Sequence, residues 1–339
     1  MGHVESGATF LAAITLALHL LPATTLFPPD AAVRVVRVRG DGAGDFRTVT
    51  EAVNSIPSGN KRRVVVWIGM GEYREKVTVD RSKPFVTFYG ERNGSNPHTM
   101  PIITYDATAL RYGTVDSATV AVDSDYFVAV NVAFVNSSPR PDKNSVGAQA
   151  LAMRISGDKA AFYNCKFLSF QDTLCDDKGR HFFKECHIQG SYDFIFGNGK
   201  SIYLRSTIES VAKGLSVITA QGRESIAQDT GFSFLHCNIT GSGHRNTYLG
   251  RAWKKSPRVV FAYTYMGSLI NARGWFTNQL PHPKSNQTIY YGEYRCKGAG
   301  AASSGRVKFR KILSEEEAKP FVSMSYIHGG KWVVPPPKL

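Results

Sequence analysis

The sequence predicts an all-β protein: a right-handed, single-stranded parallel β-helix with short flanking helices. Three observations carry this reading. Short strand-like segments recur through the middle of the chain, helix-period patterns nearly vanish between about Val79 and Ser314, and a small residue returns at like places in successive repeats. The repeats are visible by eye in Tyr163–Phe167 (YNCKF), Lys184–Ile188 (KECHI), Arg205–Ile208 (RSTI) and His236–Ile239 (HCNI). Their small residues, Cys165, Cys186, Thr207 and Cys237, lie 21, 21 and 30 residues apart. Short strands at such a period, with no crossover helices between them, argue against a doubly wound α/β fold and suit a solenoid. A β-sandwich is the alternative, but its hairpin turn signals are sparse. Stacked coils turn like positions into ladders about 4.8 Å apart. An earlier copy lies at Asn131–Val135 and a later one near Tyr265.

The flanking elements follow in order. Residues 1–27 read as a secretory signal peptide, because Phe10–Leu21 is apolar apart from Thr15 and His19 and is short for a membrane span. The β-helix domain is expected over 33–332. Gly40–Gly44 is glycine-rich but matches neither phosphate-binding fingerprint, and reads as a turn. Thr48 and Glu51 form a capping box for a short helix through Ile56, with Phe46, Val49, Val53 and Ile56 facing inward. Arg63–Ile68 reads as a buried strand. Near the other end, Ser314 caps Glu315–Glu317 at the start of a helix, which is expected to cover the open end of the solenoid. Residues 333–339 form a Pro-rich tail.

Composition narrows the function. With 42% hydrophobic and 20% charged residues, the 339-residue chain is neither disordered nor collagen-like. Its net charge of +14 fits an anionic partner, with a merely soluble basic surface as the alternative. The basic residues are scattered, with only Lys61–Arg63 clustered, and no zinc finger, basic helix or aromatic RNA-binding signature occurs. Acidic polysaccharide therefore ranks above nucleic acid. Four Asn-x-Ser/Thr triplets, at Asn93, Asn136, Asn238 and Asn286, fit an extracellular route, although each is also an ordinary polar turn sequence. The five cysteines match neither a disulfide framework nor a metal site and are expected as packed thiols in the ladders.

The repeat also places chemistry. Asp172 lies seven residues after Cys165, and Asp193 seven after Cys186. Two carboxylates in register on adjacent coils repel, so one stays protonated while the other ionises. That is the pairing of an acid with a nucleophile or base that hydrolysis uses. A pair of strand-end turn aspartates is the structural alternative.

Around these residues the chain resembles the plant-type pectin methylesterases, or pectinesterases, from about Val36 to Trp332. The resemblance rests on Gly71–Glu75 (GEYRE), Gly147–Arg154 (GAQALAMR), Gln171–Leu174 (QDTL), Asp193–Gly197 (DFIFG) and Leu249–Trp253 (LGRAW), in the family's order. It implies Asp193 as nucleophile on the methyl ester of a galacturonate unit, and Asp172 as general acid and then base. It further implies Gln149 and Gln171 as oxyanion donors, Arg251 as the partner that keeps Asp193 ionised, and Trp253 and Phe196 as aromatic faces for sugar rings. No metal or organic cofactor is implied. The expected partners are methyl-esterified homogalacturonan and a proteinaceous inhibitor, with no nucleic acid or membrane, for a monomer secreted to the cell wall. Two positions depart from the family pattern: Ala252 replaces a usual Pro, and Cys175 a usual Tyr. There is no long N-terminal inhibitor-like region, so activation by removing one is not expected. The competing readings are a β-helix glycoside hydrolase or lyase, which a close Asp pair would allow, and a non-catalytic wall-binding protein. A serine esterase would need the Gly-x-Ser-x-Gly motif, which does not occur.

Overall fold

A computed structural model describes residues 33–335, apart from 93, 95, 97–98, 143, 278–287 and 303. The expected signal peptide, Asn93, Asn286 and the tail beyond Pro335 lie outside the described residues. Within them, strands pair only in parallel and form three sheets of eleven, eight and eight strands. Each coil gives one strand to each sheet in turn, as in Ala160–Tyr163, Lys166–Leu168 and Leu174–Asp176, followed by Arg180–Lys184, His187–Gly190 and Tyr192–Gly197. We call these sheet 1, sheet 2 and sheet 3.

Stacking explains the composition of the core. Phe162, Phe183, Tyr203, Phe234 and Phe261 form a ladder of parallel rings with successive centroids 4.7, 4.6, 4.5 and 4.5 Å apart. Those distances match the spacing between paired strands, so each ring stacks on the next coil's ring without leaving its strand. The corner from sheet 1 to sheet 2 repeats a left-handed residue: Asn131, Asn164, Glu185, Arg205, His236, Tyr263 and Arg295 all have φ between 48° and 55°. Asn tolerates this region, and the Asn164 amide donates to Asn131 Oδ1 at 2.8 Å, as one rung of the ladder.

The thiol ladder exists with one correction. Lys166 pairs with His187, His187 with Thr207, and Thr207 with Asn238. The residues before them, Cys165, Cys186, Ser206 and Cys237, therefore stack, and Ser206 replaces the expected Thr207. This coil is one residue shorter at the turn after Gly197, since Leu174 pairs with Ile195 but Arg180 with Lys200. A period of 21 carried past that turn slips by one. All five cysteines are free thiols.

Helix α1 (Val49–Asn54) has the expected capping box, buries Val49, Ala52 and Val53, and packs on the first strands of sheets 1 and 3. It closes the N-terminal end. The acid-capped helix at the other end does not have the expected place. Helix α3 (Glu315–Ala318) and the segment after it lie along the outer face of sheet 1, where Phe321, Tyr326, Ile327 and Trp332 cover Phe182, Ile202, Leu235 and Val260. That face is apolar and needs cover of its own. Near the C-terminal end, Arg306, 9% exposed, is paired with the buried Glu293 and bonded to the Asn271, Ala272 and Gly300 carbonyls.

Candidate active site

Sheet 3 positions the site. Gln171 bridges to Tyr192, and Leu174 pairs with Ile195, so Asp172 and Asp193 occupy neighbouring coils in register. Both aspartates have left-handed backbones, at φ 62° and 49°. At Asp193 the pairing with the next coil shifts register between Tyr192 and Ile195. A bulge of this kind re-aims side chains. Here it turns Tyr192 and Asp193 to the outside, while Phe194 and Ile195 stay in the core.

Arg251, the last residue of strand Thr247–Arg251, reaches Asp193 from two coils away. Its Nε donates to Oδ1 and Oδ2, each at 2.9 Å, and its Nη2 donates to Oδ2 at 2.5 Å. Gly250 lets this strand pack against the coil in between, because a Cβ there would lie 2.2 Å from Thr219 Oγ1. The guanidinium also lies over the Tyr192 ring, 5.9 Å from its centroid.

Asp172 and Asp193 are 8% and 6% exposed. Burial, then the Asp193 charge, pushes Asp172 well above the usual carboxylate range, with Arg251 pulling weakly the other way. Burial also leaves Asp193 above its usual value, but less so, because the Arg251 hydrogen bonds and charge oppose it directly. The pair is therefore split. Asp193 carries the negative charge that the guanidinium stabilises, and Asp172 keeps its proton to higher pH.

A cleft of about 420 Å³ opens above them, lined by Gln149, Gln171, Asp172, Asp193, Phe196, Arg251 and Trp253, together with Thr114, Val115, Tyr192 and Ala220. All seven residues singled out in the sequence meet in this one cavity. Gln149 and Gln171 arrive on adjacent coils, since the Ala150 amide bonds the Gln171 carbonyl at 3.1 Å. Trp253 is 41% exposed and meets the buried Phe196 edge to face, with centroids 6.0 Å apart. Among the described residues, no three His, Cys, Asp or Glu side chains gather as metal ligands.

The model of the pectinesterase family matches residues 35–330. Pectinesterase 2 of Olea europaea is 48% identical over 312 residues, covering 92% of this chain and 83% of its own. The pectin methylesterase from carrot is 36% identical with a TM-score of 0.80, covering 91% of this chain and 96% of that one. The pectin methylesterase from Aspergillus niger is 28% identical with a TM-score of 0.78, covering 89% and 97%.

The chain belongs to the pectinesterase family.

As a pectinesterase it is a carboxylic ester hydrolase built on a parallel β-helix. Its two departures from the family pattern are both buried. Ala252 is 3% exposed beneath the rim. Cys175 is 2% exposed in a small cluster with Leu151, Phe196 and Ala220, and burial, then the nearby Asp177, Asp176 and Asp172 charges, pushes its thiol well up. The thiol is inert packing beneath Phe196.

Sequence reasoning missed Tyr192, Thr114 and Val115. Tyr192 adjoins Asp193, but alternation along a regular strand would send it and Asp193 to opposite faces, and only the bulge brings them together. Thr114 and Val115 follow helix α2 (Ala109–Tyr112), a turn too short to leave a periodic signal.

Proposed function

We propose that the enzyme removes methyl esters from the galacturonate units of pectin, releasing methanol and leaving free carboxylates. The observation that carries this reading is the carboxyl pair: an Asp193 carboxylate forked by Arg251 beside a buried Asp172 that holds its proton to higher pH, in one cleft with two glutamine amides. Asp193 attacks the ester carbonyl carbon, and the oxygen that gains charge receives hydrogen bonds from the Gln149 and Gln171 amides. Loss of one such donor costs about 10²–10³ in rate. Asp172 gives its proton to the methoxy oxygen as the carbon–oxygen bond breaks, and methanol leaves. The acyl-enzyme holds the galacturonate carbonyl on Asp193. Asp172, now ionised, takes a proton from water, whose oxygen attacks that carbonyl and frees Asp193. Trp253 and Phe196 offer aromatic faces to the sugars. The pair is also compatible in principle with glycoside cleavage, but two amides beside the nucleophile suit an oxyanion rather than an oxocarbenium ion.

Charge and the N-terminal segment support this substrate and its place. A chain of net charge +14 attracts the polyanion it produces, and residues 1–27 would direct it to the secretory route and the cell wall. Among the described residues no helix is long and apolar enough to cross a membrane. The test is product analysis on highly methylated pectin, with methanol and chain length measured together. Methanol with chain length unchanged supports the reading. Chain shortening would replace it with a hydrolase or lyase, and neither product would favour a binding protein.

A further inference from the structure

Two of the four Asn-x-Ser/Thr triplets lie among the described residues, and the fold treats them in opposite ways. Asn136 is 2% exposed. Its Nδ2 donates to the carbonyls of Ala107, Ser117 and Leu151 at 2.8, 3.2 and 3.1 Å, and its Oδ1 accepts from the Ser138 amide at 3.1 Å. Ala107 and Ser117 bracket the segment that carries α2, Thr114 and Val115, and Leu151 follows Gln149. Asn136 thus ties down both ends of one cleft wall. An amide nitrogen carrying a sugar keeps one hydrogen and gains a bulky substituent, so it cannot make this set of bonds in a closed pocket.

Asn238 is the reverse. It opens strand Asn238–Gly241 of sheet 2, whose burial alternates: Asn238 and Thr240 are exposed, and Ile239 is fully buried. The acceptor amide and the hydroxyl two residues on therefore stand on the same outward face, as period-two geometry requires. Beside Asn238 in register are Thr207 and Tyr265, and Tyr265 is 54% exposed. The face belongs to sheet 2, and the cleft belongs to sheet 3. A glycan here leaves substrate access open.

We infer that the folded, secreted enzyme carries an N-linked glycan on Asn238 and none on Asn136. The donor is a lipid-linked oligosaccharide diphosphate. The Asn238 Nδ2 loses a proton and bonds the sugar C1, the C1–O bond to the diphosphate breaks, and the lipid diphosphate leaves. Chains modified at Asn136 lose the clamp and do not reach the folded pool. The inference rests on the secretory route proposed above.

The full chain is expressed in a eukaryotic secretory host twice, once as it stands and once with a heterologous secretion leader fused ahead of it. The secreted protein is treated with peptide N-glycosidase in ¹⁸O-water and mapped peptide by peptide. The expected result is an ¹⁸O-aspartate at position 238 and unmodified asparagine at 136. Asn238→Gln should lose one glycan mass and keep methanol release within twofold. Unmodified Asn238 in secreted protein from either form overturns the inference, as does a glycan on Asn136 of folded, active enzyme. Secretion only with the added leader would sink the route while leaving the assignment of Asn238 to be read from the same map.

Discussion

Replacing Arg251 with methionine removes all three hydrogen bonds to Asp193 while keeping a long apolar stem in the same space. Asp193 is 6% exposed, so burial then acts on its carboxylate almost unopposed. An opposite charge at this range typically lowers a carboxyl pKa by about 1–3 units, so its loss should raise Asp193 by a similar amount. At about 1.36 kcal/mol per unit, that is about 1.4–4 kcal/mol of lost preference for the ionised nucleophile. The acidic limb of kcat/KM for methanol release should move upward by at least about one pH unit. Below the shifted limb, activity should fall about 10- to 1000-fold, with partial recovery as pH rises and Asp193 ionises. Recovery is bounded above, because Asp172 must keep its proton to release methanol. The assay is methanol release from methylated pectin across pH, with thermal melts to show that the variant folds. A folded Arg251→Met enzyme whose acidic limb does not move would refute the role given to the guanidinium.

Three further outcomes are expected. Asp172→Asn should abolish turnover yet raise stability near neutral pH by about 1 kcal/mol, a Tm rise of about 2 °C in calorimetry, because a buried acid with a raised pKa costs stability above its unfolded value. His181 is fully buried between Asp176 Oδ1 at 2.5 Å and the Gly157 carbonyl at 2.9 Å, so both ring nitrogens must donate; burial opposes the charge, but Asp176 and Gly157 outweigh it and the pKa is raised. The stability it contributes is whole below about pH 6.5 and is lost as pH rises through the folded value, so urea midpoints should decline with pH across that range in the wild type and decline less in His181→Gln. Glu185 holds φ 55° in the corner ladder next to Asn164, so Glu185→Asn should stabilise the fold by about 0.5–1 kcal/mol in the same titration.

Much of the fold was legible because a solenoid writes its period into the chain. Cys165 and Cys186 gave the register that brought Asp172 beside Asp193, and the family motifs around them supplied Gln149, Gln171 and Arg251. The same period failed after Gly197, where a turn one residue shorter put Ser206 in the ladder instead of Thr207. Helix α3 carried a clear capping signal, but capping says where a helix starts and nothing about which apolar face it covers. Its place on sheet 1 depends on Phe182, Ile202 and Val260 facing outward, and apolar residues on both faces of a strand read from sequence as simply buried. Tyr192 was hidden for a related reason. Its direction depends on a bulge, and a bulge leaves no periodic trace. Asn136 shows the limit of motifs: the triplet is a glycan signal in sequence and a structural clamp in the fold.

The central claim is that Asp193 is the nucleophile, and the most direct measurement is methanol release from highly methylated pectin by purified, folded Asp193→Ala beside the wild type. The wild type should release methanol with chain length unchanged, and the variant, melting like the wild type, should lose at least about 10³-fold in kcat/KM. A folded variant within tenfold of the wild type would contradict it and move the nucleophile elsewhere in the cleft.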